Sequence, residues 1–169
     1  LATVLGYSVG GDVRQNAVSG ASGYVRLERE GTIVVVDAGK PPAFELAGSA
    51  HAGCLSFEMS VGPALVFVNN GAPAPHHAEF AAAARATASH NTLCLAEQSS
   101  AKLIRNERLE QRLGRVPLAK PDLVTLEVKA DAGDVQMVAA HDAYRDRYGL
   151  LHSRYLALAD DGQRLTGKD

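Results

Sequence analysis

The sequence predicts an all-β fold, a layered antiparallel β-sandwich with one short helical segment near 79–85. Three observations carry that expectation. Short stretches of alternating or β-branched apolar residues recur at roughly regular spacing, turns of Gly, Pro, Asn or Asp separate them, and almost nothing shows the 3.6-residue rhythm of an amphipathic helix. Strands with one apolar face must bury it against another layer, and two sheets face to face are the simplest solution.

Residues 1–22, rich in Gly, Ser and Ala and without clear periodicity, read as an irregular lead-in, and 23–169 as the sandwich domain. Tyr24, Arg26 and Glu28 alternate with Val25, Leu27 and Arg29; Glu30-Gly31 supplies a turn, and the β-branched run 32–37 returns, which makes a first hairpin. Gly39, Lys40, Pro41 and Pro42 break the sheet. A half-buried strand is expected over 54–59, turned by Gly62-Pro63 and paired with 65–68. The alanines of 79–85 allow about two turns of helix. His90 to Ala96 reads as a strand, 97–120 as a polar excursion with a helical turn near 107–113, and 123–128 with 135–139 as a third hairpin. A further strand over 150–158 precedes the Asp161-Gly162 turn and strand-like sequence after it.

With 169 residues the chain fits one domain large enough to bury a core. A net charge of -2 gives no electrostatic reason to expect nucleic acid or an anionic membrane surface as partner. Apolar runs such as 33–36 and 64–68 are too short to insert across a bilayer. Cys54 and Cys94 alternate with apolar residues, which favours buried free thiols over a bridge. The chain starts without Met and breaks off in strand-like sequence, so a piece of a longer protein is expected, and the absence of a targeting signal then says nothing about the parent.

The site-like stretch is 49–91. It sets His51, Asn69-Asn70 and His90-Asn91 at the ends of expected strands, where side chains can converge if the strands are neighbours. Imidazoles and amides there can face a sugar, hold a metal, or pin loops by hydrogen bonds; Asn69-Asn70-Gly71 equally suits a turn. His76 and His77 in a Pro-containing loop read as solvated, His141-Asp142-Ala143-Tyr144 as packing or a continuation of a cleft wall, and Arg145-Asp146-Arg147 as an exposed charged loop.

The runs Gly23-Tyr24-Val25-Arg26-Leu27, Ala50-His51-Ala52-Gly53-Cys54-Leu55-Ser56-Phe57-Glu58, Val68-Asn69-Asn70-Gly71, Arg85-Ala86-Thr87-Ala88-Ser89-His90-Asn91-Thr92 and His141-Asp142-Ala143-Tyr144 together resemble the C-terminal β domain of heparinase II/III-like proteins. The resemblance implies a polysaccharide lyase that acts on acidic, uronic-acid-containing polysaccharide by β-elimination, built from an N-terminal α/α toroid and this β domain with the substrate cleft between them. It implies a bacterial protein of the periplasm or cell surface, whose toroid holds the acid/base Tyr, so that this fragment would be inactive alone. In better-preserved members the first block reads His-x-His-x-Asp, the second Asp-x-Gly and the third His-Asn. Carried over, the zinc positions become His51, Asn69 and His90, the catalytic His position is Ser49, and the substrate-facing set is His51, Asn69, Asn70, His90 and Asn91. Asn69 lacks the charge of a carboxylate, Ser49 is no base near neutral pH without an activating partner, and Gly53 replaces an acid. These departures also fit a non-catalytic carbohydrate-binding or structural β domain with a degenerate site, or an assembly module.

Overall fold

A computed structural model describes residues 23–74, 77, 80–104, 108, 112, 117–119, 121–130 and 133–169. The first sheet runs β1 (Tyr24–Arg29), β2 (Thr32–Asp37), β3 (Phe57–Val61) and β4 (Ala64–Phe67) in that order, all antiparallel. The second is β10 (Leu165–Lys168), β9 (His152–Leu158), β8 (Val135–His141) and β7 (Leu123–Ala130), again antiparallel. A two-stranded ribbon, β5 (Lys102–Leu103) with β6 (Pro117–Ala119), lies between them in sequence. The fold is the expected all-β sandwich.

Its core follows from the period of two. Val25 and Leu27 of β1 stand opposite Val36 and Val34 of β2, and all four are buried. In the second sheet Val135 and Met137 stand opposite Leu158 and Leu156, buried likewise. These cross-strand pairs meet in one cluster, completed by Ala38, Cys54, Leu55 and Ala139. Each such side chain contributes about 1.5–3 kcal/mol by leaving water, which makes this cluster the main cohesion between the sheets. The β1–β2 connection is as short as a hairpin permits: Glu30 and Gly31 both have positive φ, 46° and 80°, the backbone twist that matches flanking strands.

The expected helical segment is present as α1 (Ala81–Ala84). A second one-turn helix, α2 (Arg145–Tyr148), occupies what the sequence suggested was an exposed charged loop and ends at Gly149 with φ 68°. Two local expectations are corrected. β3 begins at Phe57, because Cys54 and Leu55 form a turn in which Leu55 takes φ 65°. The segment 90–96 is not a strand: after a 3-10 turn at Thr87–Ser89 it bends, and its one bridge joins Leu95 to Gln98. The cause is side-chain competition. Asn91 and Thr92 bond the backbone of Phe57 and Cys54 and so replace a ladder with laces. The lead-in 1–22 lies outside the described residues, as does most of the turn expected near 107–113.

Cys54 is buried and Cys94 half-buried, both as free thiols; burial and, less, the charge of Asp37 push Cys54 up to about 12, so it is inert near neutral pH. Edge strand β4 differs from its neighbours: Leu65, Val66, Phe67 and the following Val68 are all exposed. Among the described residues no helix is long and apolar enough to cross a membrane.

Candidate functional site

The site is built where three loops end on the first sheet. The loop into β3 carries His51; Ala52 N–H donates to Arg85 O (2.9 Å), while Ala52 O accepts Thr87 Oγ1 (2.6 Å) and Ser100 Oγ (3.2 Å). Thr87 and Ser100 are buried, so these hydroxyls fix the loop from below. The segment after β4 brings Asn69, and the bent segment after Thr87–Ser89 brings His90. The structure therefore unites His51, Asn69 and His90 as the sequence suggested.

His90 Nδ1 lies 2.9 Å from Asn69 Oδ1, and the rings of His51 and His90 are 5.3 Å apart between centroids, tilted by 59°. The orientation of the Asn69 amide fixes the tautomer. Asn70 N–H, which can only donate, points at Asn69 Oδ1 (3.2 Å), and Asn69 Nδ2 donates to Ser56 Oγ. Oδ1 is thus the acceptor, His90 Nδ1 carries the proton, and Nε2 keeps its lone pair. That Nε2 is buried and has no hydrogen-bond partner.

Both imidazoles are biased toward neutrality. Burial lowers the His51 pKa, helped by the positive charge of Arg85, and burial lowers His90, helped by His51; the Ala84 carbonyl pulls each weakly the other way. Arg85 is itself buried and donates through Nε to Ala50 O (2.8 Å) and through Nη2 to Ala47 O (3.4 Å). Gly53 lets His90 lie against the backbone, since a Cβ there would sit 3.2 Å from both His90 Cγ and Ser56 Oγ.

The other sequence candidates have different settings. Asn91 spends its side chain on Phe57, donating to its carbonyl (2.7 Å) and accepting its N–H (2.8 Å). Asn70 is exposed beside Asn69, and Ser49 is exposed at the end of the 3-10 turn Phe44–Ser49. His77 is exposed, while His76 lies outside the described residues. His141 and Tyr144 are buried, and Tyr144 OH donates to Leu93 O (2.9 Å).

Four contributors that sequence reasoning did not single out are Ser56, His152, Arg154 and Asp169. Arg154 Nη1 donates to Leu55 O (2.7 Å) and Asn91 O (2.8 Å), while Nε and Nη2 grip the two oxygens of Asp169 (2.7 and 2.8 Å). His152 Nε2 donates to Asp169 Oδ1 (2.8 Å) and its Nδ1 pairs with His141 Nε2 (3.0 Å). Their signal was legible: His152 and Arg154 share the core-facing side of β9 with Leu156 and Leu158, and an inward cation on a strand needs a partner.

The Heparinase II/III-like, C-terminal family model matches residues 13–169. The chain belongs to that family. Among solved structures, a heparan sulfate lyase HepC mutant from Pedobacter heparinus shares this fold at TM-score 0.61 and 15% identity, over 94% of this chain and 22% of that one. This heparinase II/III-like domain thus spans about a fifth of the length of that lyase. No curated protein matches it.

Zinc at the three carried-over positions can be tested on the donor set. Asn69 Oδ1 already accepts from His90 and Asn70, so it orients the imidazole and does not itself face a common centre with it. Two imidazoles remain as nitrogen donors, and among the described residues no cluster of three His, Cys, Asp or Glu surrounds them. Two nitrogen donors alone fall short of the donor set of a closed structural zinc site.

Proposed function

We propose that the chain is the C-terminal β domain of a polysaccharide lyase that cleaves acidic, uronic-acid-containing polysaccharide by β-elimination, with an N-terminal α/α toroid as its other half. On this reading the chain alone does not turn over substrate, and the parent works in the periplasm or on the surface of a bacterium. Family membership and the sandwich fold support the class. The observation that carries the site is His90 Nε2, buried without a hydrogen bond of good geometry, beside the imidazole of His51, whose pKa burial also lowers.

β-Elimination from a uronate needs a base for the C5 proton, neutralisation of the carboxylate, and an acid for the departing O4. Neutral His51 and His90 can accept hydrogen bonds from sugar hydroxyls, and the exposed Asn70 amide can donate to a carboxylate. Ser49 offers no base, so proton abstraction falls to the partner domain. The bare apolar edge of β4, next in sequence to Asn69, is consistent with cover by another part of a larger protein.

Titration of the chain with a uronate tetrasaccharide, followed through its side-chain imidazole NMR signals, tests the reading. His51 and His90 signals should move, and His90→Ala should weaken binding at least tenfold. Absence of any shift at millimolar ligand would remove the sugar-facing role. A second reading has specific support: zinc bound by His90 Nε2 and His51, with Asn69 holding His90 in its tautomer, as orienting partners do in metal sites. Metal content after exchange into chelator-free buffer, beside His51→Ala and His90→Ala, separates the two. A binding domain without a lyase parent would hold the saccharide and yield no product.

A further inference from the structure

We infer that Arg154, from the opposite sheet, is the positioning residue that holds the His90 segment against the His51 loop, and that Asp169 and His152 aim it. The inference rests on reading the His51–His90 pair as the ligand-facing site. Its geometry stands independently. One nitrogen, Nη1, donates both to Leu55 O and to Asn91 O, that is, to the turn that ends the His51 loop and to the residue next to His90. Among the described residues it is the group of the second sheet that bonds both segments.

The rest of the guanidinium faces a carboxylate. Nε and Nη2 meet the carboxylate of Asp169 in a two-pronged contact, which fixes the plane and therefore the direction of Nη1. The Phe57 ring lies 6.0 Å from the guanidinium carbon and closes another side. Asp169 is held in turn by His152. Ala143 N–H donates to His141 Nδ1 (3.3 Å), so His141 carries its proton on Nε2 and gives it to His152 Nδ1, which leaves His152 Nε2–H for Asp169. The chain of donors runs one way, from the Ala143 N–H through both rings to Asp169, and uses every ring nitrogen.

The consequence for the site is local. Leu55 takes a left-handed backbone, φ 65°, that a branched side chain rarely adopts, and its carbonyl is one of the two that Arg154 holds. Asn91 and Thr92 lace the His90 segment to Phe57 and Cys54, so release of Leu55 and Asn91 loosens both the turn that follows Gly53, against which the His90 ring lies, and the residue next to His90. The cue that orients Nδ1 on Asn69 depends on that registry.

The test is the tautomer of His90, read from its side-chain 15N shifts in the full 169-residue chain, for wild type, Arg154→Gln, Arg154→Lys and Asp169→Asn. Wild type should show one fixed tautomer, with Nδ1 protonated. Arg154→Gln, which cannot reach both carbonyls and Asp169 at once, should stay folded and average its two nitrogens; Arg154→Lys, which keeps a cation between them, should restore most of the wild-type pattern. A purely structural arginine would lower the unfolding midpoint and leave the tautomer untouched, and that result in folded Arg154→Gln overturns the inference. If Arg154→Gln does not fold, Asp169→Asn decides: partial averaging at His90 supports the inference, and an unchanged His90 overturns it. Binding of the uronate tetrasaccharide to wild type is scored separately. Its absence sinks the functional reading, while the tautomer experiment still decides the role of Arg154.

Discussion

Asp37→Asn should stabilise the domain at neutral pH and lose that advantage in acid. Asp37, the last residue of β2, lies against the core, and its carboxyl is raised from 3.8 to about 6 by burial, against a smaller opposing effect from the Gly39 N–H. A folded-state pKa above the unfolded one means that the native form holds a proton the unfolded chain has lost between these two values. Stability from this group is therefore highest below pH 3.8, falls as pH rises to about 6, and is flat above. The difference corresponds to about 3 kcal/mol as an order of magnitude. Asn mimics the protonated carboxyl at every pH, though its extra N–H adds a fixed cost of about 1–3 kcal/mol if left unpaired. The fixed cost cancels in a comparison across pH. Urea unfolding of wild type and Asp37→Asn at pH 7.5 and pH 4, with matched m values, should show the stability difference shift by about 2 kcal/mol in favour of the variant at the higher pH. An equal difference at both pH values, or a shift of opposite sign, would refute the burial argument.

Other outcomes follow from the same structure. His141, lowered to about 4 by burial and by His152, takes up its proton later than the unfolded chain, so it costs the fold about 3 kcal/mol as pH falls from 6.5 to about 4; His141→Gln should remove that slope in the same urea series. Asn69→Asp should raise the His90 pKa in an NMR titration, because a carboxylate on Nδ1 favours the imidazolium, and should tighten zinc if the second reading holds. Gly53→Ala should disturb His90 and cost about 1–3 kcal/mol through overpacking, measured by the unfolding midpoint and the His90 signals. Leu27→Ala, in the core between the sheets, should cost about 2–5 kcal/mol, whereas Leu65→Lys on the bare β4 edge should stay within about 0.5 kcal/mol.

The fold was legible because strand patterning is a local property. Val25, Leu27, Val34 and Val36 announce one face by alternation alone, and Glu30-Gly31 fixes the register between them. The approach of His51 to Asn69 was legible too, since they flank the β3–β4 hairpin; His90 joins them through the bent segment after Thr87–Ser89 and not, as the sequence suggested, from the end of a strand. What sequence could not show was competition between side chain and backbone. Residues 90–96 carry strand-like composition, yet Asn91 and Thr92 bond Phe57 and Cys54 first, and the ladder never forms. The Arg154–Asp169–His152–His141 chain joins residues that look unremarkable apart and acquire meaning through β8–β9 pairing, which sets His141 opposite His152.

The proposed function meets its most direct test in the ultraviolet absorbance of products when the parent protein and the isolated chain are each given a uronic-acid polymer. The account predicts 4,5-unsaturated ends from the parent, their loss on His51→Ala, and none from the chain alone. A parent that cleaves at full rate with His51→Ala, or that binds the polymer and releases no unsaturated product, would contradict it.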